Sequence, residues 1–293
     1  ENNWHGRTLG AQLMSSNIAQ SAWIGYKDKN IHHIPFPYPW SNNGKNYLEM
    51  LNTSISNLKT KGLDLGKDIC GFMLETFQGW GAVFYPKDFV KEIEKICRNN
   101  NILLTFDEMQ AGFGRTGKKF GYLHYDVIPD LICVGKGMGG GVPLSGVIGK
   151  AEVMDLPETG NMSSTHSANP LVCAAGKAVL EELENKDLVN KSFILGKKFE
   201  KELKKIKSIF PENISWVLGK GLIMAMLFKD AKTGNPDGKT ASKVAEKCMQ
   251  KGLLVVHTGR ESIKFGPPLT ISEEALLEGT EILKEAVTET LKN

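Results

Sequence analysis

The 293-residue sequence lacks several features that would decide its class at once. Its longest apolar run, around Leu222 to Phe228, falls far short of the about 18 residues that suggest a membrane helix. Its five cysteines, Cys70, Cys97, Cys133, Cys173 and Cys248, are odd in number and show no metal-ligand or redox-pair spacing. That speaks against a disulfide scaffold and for a reducing compartment, so a cytoplasmic protein is expected. Charge of one sign is also missing: 36 Lys+Arg against 33 Asp+Glu leave only +3. Without a clustered basic patch, that balance does not point to nucleic acid or a membrane surface. There is no internal repeat and no low-complexity tract. There is no initiator Met either: the chain opens Glu1-Asn2-Asn3-Trp4 with no charged leader, so a processed start or a longer parent chain is expected. What remains, 41% hydrophobic, 24% charged and 8% aromatic, is the composition of an ordinary globular protein, and the length suits about two domains.

From about Asp68 short apolar runs alternate with helical patterns. Ile69 to Glu75 reads as a buried strand, and Phe89, Ile93 and Ile96 or Cys97 form the stripe of a helix with Pro86 in its first turn. Further strands are expected at Ile102 to Phe106, Leu131 to Val134 and Leu144 to Ile148. This alternation predicts an α/β fold with a mostly parallel sheet covered on both faces. Functional residues in such sheets sit just past the carboxyl ends of the strands, where Glu75, Asp107 and Lys136 all fall. Before this core, residues 26–46 form a Pro- and aromatic-rich loop with adjacent His32 and His33 and no carboxylate or Cys at ligand spacing, so no metal site is expected. After it, Asn169-Pro170 opens a helix to about Leu183, and another follows from Leu188 to Ile206. Strands at Leu222 to Phe228 and Leu253 to Val256, a helix near Ala241 to Lys251 and a final helix from Glu273 to Leu291 then read as a smaller α+β domain.

Two nucleotide-binding patterns fail on context. Gly112 to Lys118 spells G-x-x-x-x-G-K, but Lys119 stands where a phosphate loop needs Ser or Thr for magnesium. Gly135-x-Gly137-x-x-Gly140 matches the dinucleotide fingerprint, but Val142-Pro143-Leu144 leads into a strand instead of the required helix.

An ordered set survives: Glu75 at one strand end, Asp107 and Gln110 at the next, Lys136 in a glycine-rich loop at the third, and Thr165 ahead of a helix start. A carboxylate on rigid strand geometry and a lysine framed by small residues suit a cofactor with a ring nitrogen and an aldehyde. Pyridoxal phosphate has both: an Asp keeps its ring nitrogen protonated, and a Lys amine carries it as a Schiff base.

These residues carry a family resemblance. Phe106-Asp107-Glu108-Met109-Gln110-Ala111-Gly112-Phe113-Gly114-Arg115-Thr116-Gly117, Pro129-Asp130 and Gly135-Lys136-Gly137-Met138-Gly139-Gly140-Gly141 closely resemble the signature of class III pyridoxal-phosphate aminotransferases, the ornithine, acetylornithine and 4-aminobutyrate group. Lys136 follows Asp107 by 29 residues, which also fits. Glu75-Thr76-Phe77-Gln78-Gly79, Thr165-His166-Ser167-Ala168-Asn169-Pro170-Leu171 and Trp4-His5-Gly6-Arg7-Thr8 match further segments in order. The resemblance covers the chain almost end to end.

The resemblance implies a fold-type I transferase, with residues 1–185 forming a large cofactor domain that lacks its N-terminal part. Residues 186–293 would form the small C-terminal domain with its linking helix. Lys136 is implied as the catalytic lysine, Asp107 as the partner of the ring nitrogen and Gln110 as a donor near the phenolic oxygen. Trp4 stands at the ring-stacking aromatic position and Met109 at the opposite face, where Val is usual. Glu75 would support the network. Thr165 would reach the phosphate at the neighbouring subunit's site, which implies a homodimer. His5 and Arg115 read as structural.

Two departures bear on substrate. Trp80 stands where many members have a second Glu, and Lys264, in Ile263-Lys264-Phe265-Gly266-Pro267-Pro268-Leu269, stands where many have Arg. A Lys attracts a carboxylate but lacks the bidentate fork, so specificity unlike that of ornithine or acetylornithine aminotransferase is expected, with Lys264, Arg260 or the 26–46 loop meeting the substrate. The family's phosphate-cradling loop is expected ahead of Trp4. The expected activity is amino transfer between an amine or ω-amino acid and a 2-oxo acid. The alternatives are racemisation on the same fold and a truncated, non-catalytic subunit.

Overall fold

The structure is a computed structural model that describes residues 1–40 and 46–292. Residues 41–45, which include the Ser-Asn-Asn-Gly end of the long loop, lie outside the described residues. Contacts divide the chain into two compact units. The first comprises Glu1–Gln78, Tyr85–Gly112 and Tyr122–Glu182. The second comprises Gly79–Phe84, Phe113–Gly121 and Leu183–Asn293.

The first unit is built on strands β1 (Gly71–Glu75), β2 (Leu103–Asp107), β3 (Leu131–Val134) and β4 (Gly146–Gly149), side by side in that order. The first three are parallel, whereas β4 runs antiparallel to β3. Successive side chains of a strand alternate between the faces of the sheet, and the expected cover on both faces is met only in part: Val147 and Ile148 of the edge strand β4 are exposed. Leu104 and Phe106 of β2 are fully buried. The crossover between β1 and β2 contains α1 (Lys87–Asn99), which buries Phe89, Val90, Ile93 and Cys97 along one stripe. Each such side chain contributes about 1.5–3 kcal/mol relative to an exposed one. Pro86 sits at the N-cap instead of inside the first turn; its fixed φ leads into the helix without a donor being wasted.

Register determines what the sheet presents at its carboxyl end. Glu75 pairs with Asp107, and Asp107 with Cys133. Neighbouring strands lie about 4.8 Å apart, so the last residues of β1 and β2 are adjacent although 32 positions separate them in sequence. Lys136 follows two residues past the end of β3.

Asp130, at the entry to β3, ties this unit together. One carboxylate oxygen accepts from Arg98 Nη1 at 2.6 Å and from the Leu104 N–H at 2.8 Å, and the other meets Lys150 Nζ at 2.7 Å. Burial alone would raise the Asp130 carboxyl, but the bonds from Lys150, the Leu104 N–H and Arg98 outweigh it and hold it below the usual carboxylate range. A depressed carboxyl stabilises the fold above its unfolded pKa of about 3.9, and that stability disappears as pH falls through the lower folded value. The denaturation midpoint of Asp130→Asn is therefore expected to fall below wild type at neutral pH, with the gap beginning to narrow once pH falls below about 3.9. A gap that stays constant to pH 3 would show that the charge contributes nothing.

The second unit is an antiparallel sheet of β5 (Ile214–Lys220), β6 (Ile223–Phe228), β7 (Val256–His257) and β8 (Ser262–Phe265), in spatial order β5-β6-β8-β7. Every residue of β6 is buried. Helix α3 (Leu188–Ile209) contributes Leu195, Phe199, Leu203 and Ile206 to the core, and α4 (Gly238–Gln250) and α5 (Glu273–Leu291) contribute Val244, Leu276, Leu283 and Val287. Helix α2 (Pro170–Asn185), which belongs to the first unit up to Glu182, opens at Pro170, with Asn169 Oδ1 accepting from the Leu171 N–H at 2.9 Å. Strand β5 has no counterpart in the sequence reading, and the expected strand at Leu253 to Val256 is confined to Val256–His257.

Candidate active site

A pocket opens at the carboxyl end of the parallel strands in the first unit. Trp4, Glu75, Asp107, Met109, Gln110 and Lys136 all line it, together with His5, Gly6, Thr76, Phe77 and Ala111. Six residues singled out from sequence, drawn from four separate segments, thus share one cavity.

Asp107 ends β2 with its side chain only 7% exposed. Its Oδ1 accepts from the Met109 N–H at 3.0 Å, a short local turn that fixes the carboxylate's direction. Its Oδ2 lies 2.9 Å from His5 Nδ1. Burial, and after it the Asp107 charge, pushes the neighbouring Cys133 thiol above its usual range, so this cysteine remains a protonated thiol. Glu75 uses Oε1 to accept from the Trp4 N–H at 2.9 Å, which ties the segment carrying Trp4 and His5 to the end of β1. The Arg7 guanidinium stands 5.0 Å from the centre of the Trp4 ring.

Lys136 adopts φ +45°, a conformation uncommon outside glycine, in the first residue of a short helical turn at residues 136–139. Such backbone strain persists where the surroundings impose it, and it clusters at functional sites. Gly135 ahead of it has no room for a side chain: a Cβ there would come within 2.5 Å of the Met109 sulfur. The bare backbone lets Met109, next to the Asp107 turn, lie against the lysine loop.

Two sequence-derived residues lie elsewhere. Thr165 is in an exposed segment ahead of α2, outside the pocket lining. Lys264 is on β8 in the second unit, where its Nζ donates to the Gly79 carbonyl at 2.6 Å. Beside it, the Arg260 guanidinium stacks on Trp80 at 3.6 Å from the ring centre, and Ser262 Oγ donates to the Trp80 carbonyl at 3.0 Å. Arg115 donates to the carbonyls of Leu222 and Pro267, and burial lowers its pKa, consistent with an anchoring role.

His5 is the residue the sequence reading undervalued. Its side chain is 2% exposed and it faces Asp107 across 102 positions of sequence. Its one sequence signal is adjacency to Trp4 in the Trp4-His5-Gly6-Arg7-Thr8 segment.

A profile of the family described as Aminotransferase class-III matches residues 1–287. The chain belongs to the class III aminotransferase family. It is similar to the leucine/methionine racemase of Thermococcus litoralis, at 36% identity over 292 residues covering 97% of this chain and 65% of that protein. It is also similar to the acetylornithine aminotransferase of Caldanaerobacter subterraneus, at 31% identity over 290 residues covering 99% and 66%. A solved ornithine aminotransferase from Toxoplasma gondii, described with partial occupancy of PLP at its active site, aligns with a TM-score of 0.84 and 27% identity over 100% of this chain and 64% of that one. The chain spans 61–66% of the length of the curated relatives compared. Its fold is that of the fold-type I pyridoxal-phosphate transferases. The class III family depends on pyridoxal phosphate, and the donor set here suits the ring end of that cofactor. A buried carboxylate matches a protonated ring nitrogen, Trp4 and Met109 offer two apolar surfaces, and a lysine shares the cavity.

Among the described residues no helix is long and apolar enough to cross a membrane, and no group of three or more His, Cys, Asp or Glu is placed to hold a metal ion.

Proposed function

We propose that the chain is the catalytic part of a pyridoxal-phosphate transaminase that moves an amino group between an amine or ω-amino acid and a 2-oxo acid. The observation that carries this reading is the convergence of Asp107, Gln110 and Lys136 on one pocket, with the Asp107 carboxylate buried and held by two donors.

When bound, pyridoxal phosphate supplies an aldehyde for amines and a ring that draws off the electrons of a substrate carbanion. Lys136 would hold it through the side-chain amine, and the same Nζ would take the proton from the substrate α-carbon. Asp107 would keep the ring nitrogen protonated, a role that needs an anion at a fixed point in a low-dielectric wall. Gln110 would donate toward the phenolic oxygen, Trp4 and Met109 would confine the ring, and Glu75 would hold the Trp4 segment in place. Thr165, exposed ahead of α2, would serve the neighbouring subunit's site in a homodimer. Unpaired thiols at all five cysteines accord with a cytoplasmic setting.

A second reading, racemisation, is favoured by the 36% identity to a leucine/methionine racemase. Both reactions begin with proton removal from the α-carbon by Lys136 and differ in where a proton is returned. Incubation of the purified chain with pyridoxal phosphate and a panel of amino donors and 2-oxo acids separates them. Transamination consumes the oxo acid in step with the donor, whereas racemisation proceeds without one. Absence of both reactions in a chain that binds the cofactor would overturn the proposed activity.

For substrate selection we propose Lys264 as a carboxylate-attracting cation. An ammonium is a point charge without the bidentate geometry of Arg, so weaker discrimination between carboxylate positions is expected. Lys264→Ala is expected to raise the Michaelis constant of at least one carboxylate substrate about tenfold. Unchanged constants for every donor and acceptor would exclude Lys264.

A further inference from the structure

Glu108 is a buried acid that the chemistry above does not use. It follows Asp107 directly and is fully buried, yet it stands outside the pocket lining that Asp107 and Met109 on either side of it join. A carboxyl group taken wholly out of water is costly unless donors meet it, and an apolar side chain of that size would fill the space without the cost. The donors that meet it are specific. Glu108 Oε1 accepts from the Thr76 hydroxyl, 32 positions away in sequence, and from the Tyr122 N–H at 2.7 Å.

Thr76 follows Glu75 as Glu108 follows Asp107, so the contact joins the two chains just past their last ladder pair, Glu75 with Asp107. The same corner is held from other sides. The Thr76 N–H donates to the Asp107 carbonyl at 3.3 Å, and the Thr76 carbonyl accepts from the Tyr125 hydroxyl at 2.6 Å. The Tyr125 ring stacks on Phe106, the residue before Asp107, with 6.2 Å between ring centres. Through its backbone Glu108 donates to the Cys133 carbonyl of β3 at 2.9 Å and accepts from the Gly112 N–H at 2.9 Å. The second of these bonds closes the turn that brings Met109, Gln110 and Ala111 to the pocket. Glu75, on the far side of Thr76, accepts from the Trp4 N–H. A shift of the Thr76–Glu108 link is thus transmitted to Asp107 on one strand and to the Trp4 segment through the other.

We propose that Glu108 is a positioning residue: by accepting from Thr76 and Tyr122 it clamps the ends of β1 and β2 together behind the pocket and so fixes Asp107 and Trp4 where the cofactor needs them. The inference rests on the reading of this pocket as a pyridoxal-phosphate site. The property that matters is the acceptor oxygen at Oε1, because loss of it leaves a buried hydroxyl and a buried N–H to find new partners, which they do only by moving.

The test compares wild type with Glu108→Met, which keeps an unbranched side chain of similar length but offers no oxygen, and with Glu108→Gln, which keeps one. The readouts are hydrogen exchange at the Trp4 and Met109 amides of the cofactor-free chain, the dissociation constant of pyridoxal phosphate from its visible absorbance, and kcat per loaded site. Glu108→Met is expected to speed both exchanges by about tenfold or more, since a loosened corner opens more often. Cofactor affinity and kcat are each expected to fall about tenfold or more, because displacement of a reacting group by about 1 Å costs up to about 10²-fold. Glu108→Gln is expected to recover most of each loss. Asp130→Asn, at the opposite end of β2, is the structural control: it is expected to lower stability and leave every one of these readouts unmoved. A Glu108→Met protein that unfolds at lower temperature yet exchanges, binds and turns over like wild type would overturn the proposal, and so would a folded Glu108→Gln that is no better than Glu108→Met. Should Glu108→Met fail to fold, Thr76→Val, which deletes the donated hydroxyl, decides the point: the same changes are expected, and wild-type values would overturn the proposal. Absence of a visible band in wild type would instead defeat the pyridoxal-phosphate reading itself, and the inference with it.

Discussion

Lys136→Ala is expected to abolish the visible absorbance of lysine-bound pyridoxal phosphate and to lower the rate of amino transfer by about a thousandfold or more. In the proposed function the lysine would have two separable roles, as covalent holder and as base at the substrate α-carbon. Loss of a positioned general base alone typically costs 10²–10⁴-fold, and a thousandfold corresponds to about 4 kcal/mol of barrier. No neighbouring side chain substitutes for it: the other pocket residues that titrate, His5, Glu75 and Asp107, are engaged with Asp107, the Trp4 N–H and His5 respectively. Stopped-flow spectra and steady-state rates check both roles. Because Lys136 is exposed and sits in a strained turn, its removal is not expected to lower stability. Unchanged thermal unfolding beside lost chemistry would mark the residue as catalytic.

Asp107→Asn is expected to have the second largest effect. The substitution keeps size and a hydrogen-bonding oxygen for the Met109 N–H but removes the charge that would hold a proton on the ring nitrogen. Truncating one partner of a buried, hydrogen-bonded charge pair costs about 2–5 kcal/mol, so kcat is expected to fall at least about thirtyfold with cofactor still bound. The variant also removes the anion facing His5. A fall in kcat together with a redshifted or weakened cofactor band would place the effect at the ring. Wild-type kcat in Asp107→Asn would exclude this carboxylate from the chemistry.

Much of this site was legible in the sequence because the fold delivers it by a simple rule. Parallel strands built from short apolar runs place their last residues in a row, and Glu75, Asp107 and Lys136 each stand at or just past such an end. The fourth strand escaped the parallel expectation: a glycine cluster and a short connection turn the chain back, so β4 lies antiparallel on β3. Strand β5 was illegible for a local reason. Its pairing with β6 is irregular between Ile214 and Trp216, which breaks the alternation a sequence reading depends on. Val256 and His257 are both exposed and form a strand only because β8 offers them an edge, a tertiary cause without a local pattern. The His5 contact is the plainest case. Its partner is chosen by the register of β1 with β2 and by the Glu75 bond to the Trp4 N–H, none of which spacing encodes.

Above all, Lys136 is proposed as the residue that would hold pyridoxal phosphate in this chain. Borohydride reduction of the purified chain after incubation with the cofactor, followed by peptide mapping, tests it directly, since reduction makes a lysine–cofactor bond permanent. The expected result is a phosphopyridoxyl adduct on the peptide containing Lys136 and its loss in Lys136→Ala. An adduct spread over surface lysines, or none at saturating cofactor, would contradict the claim.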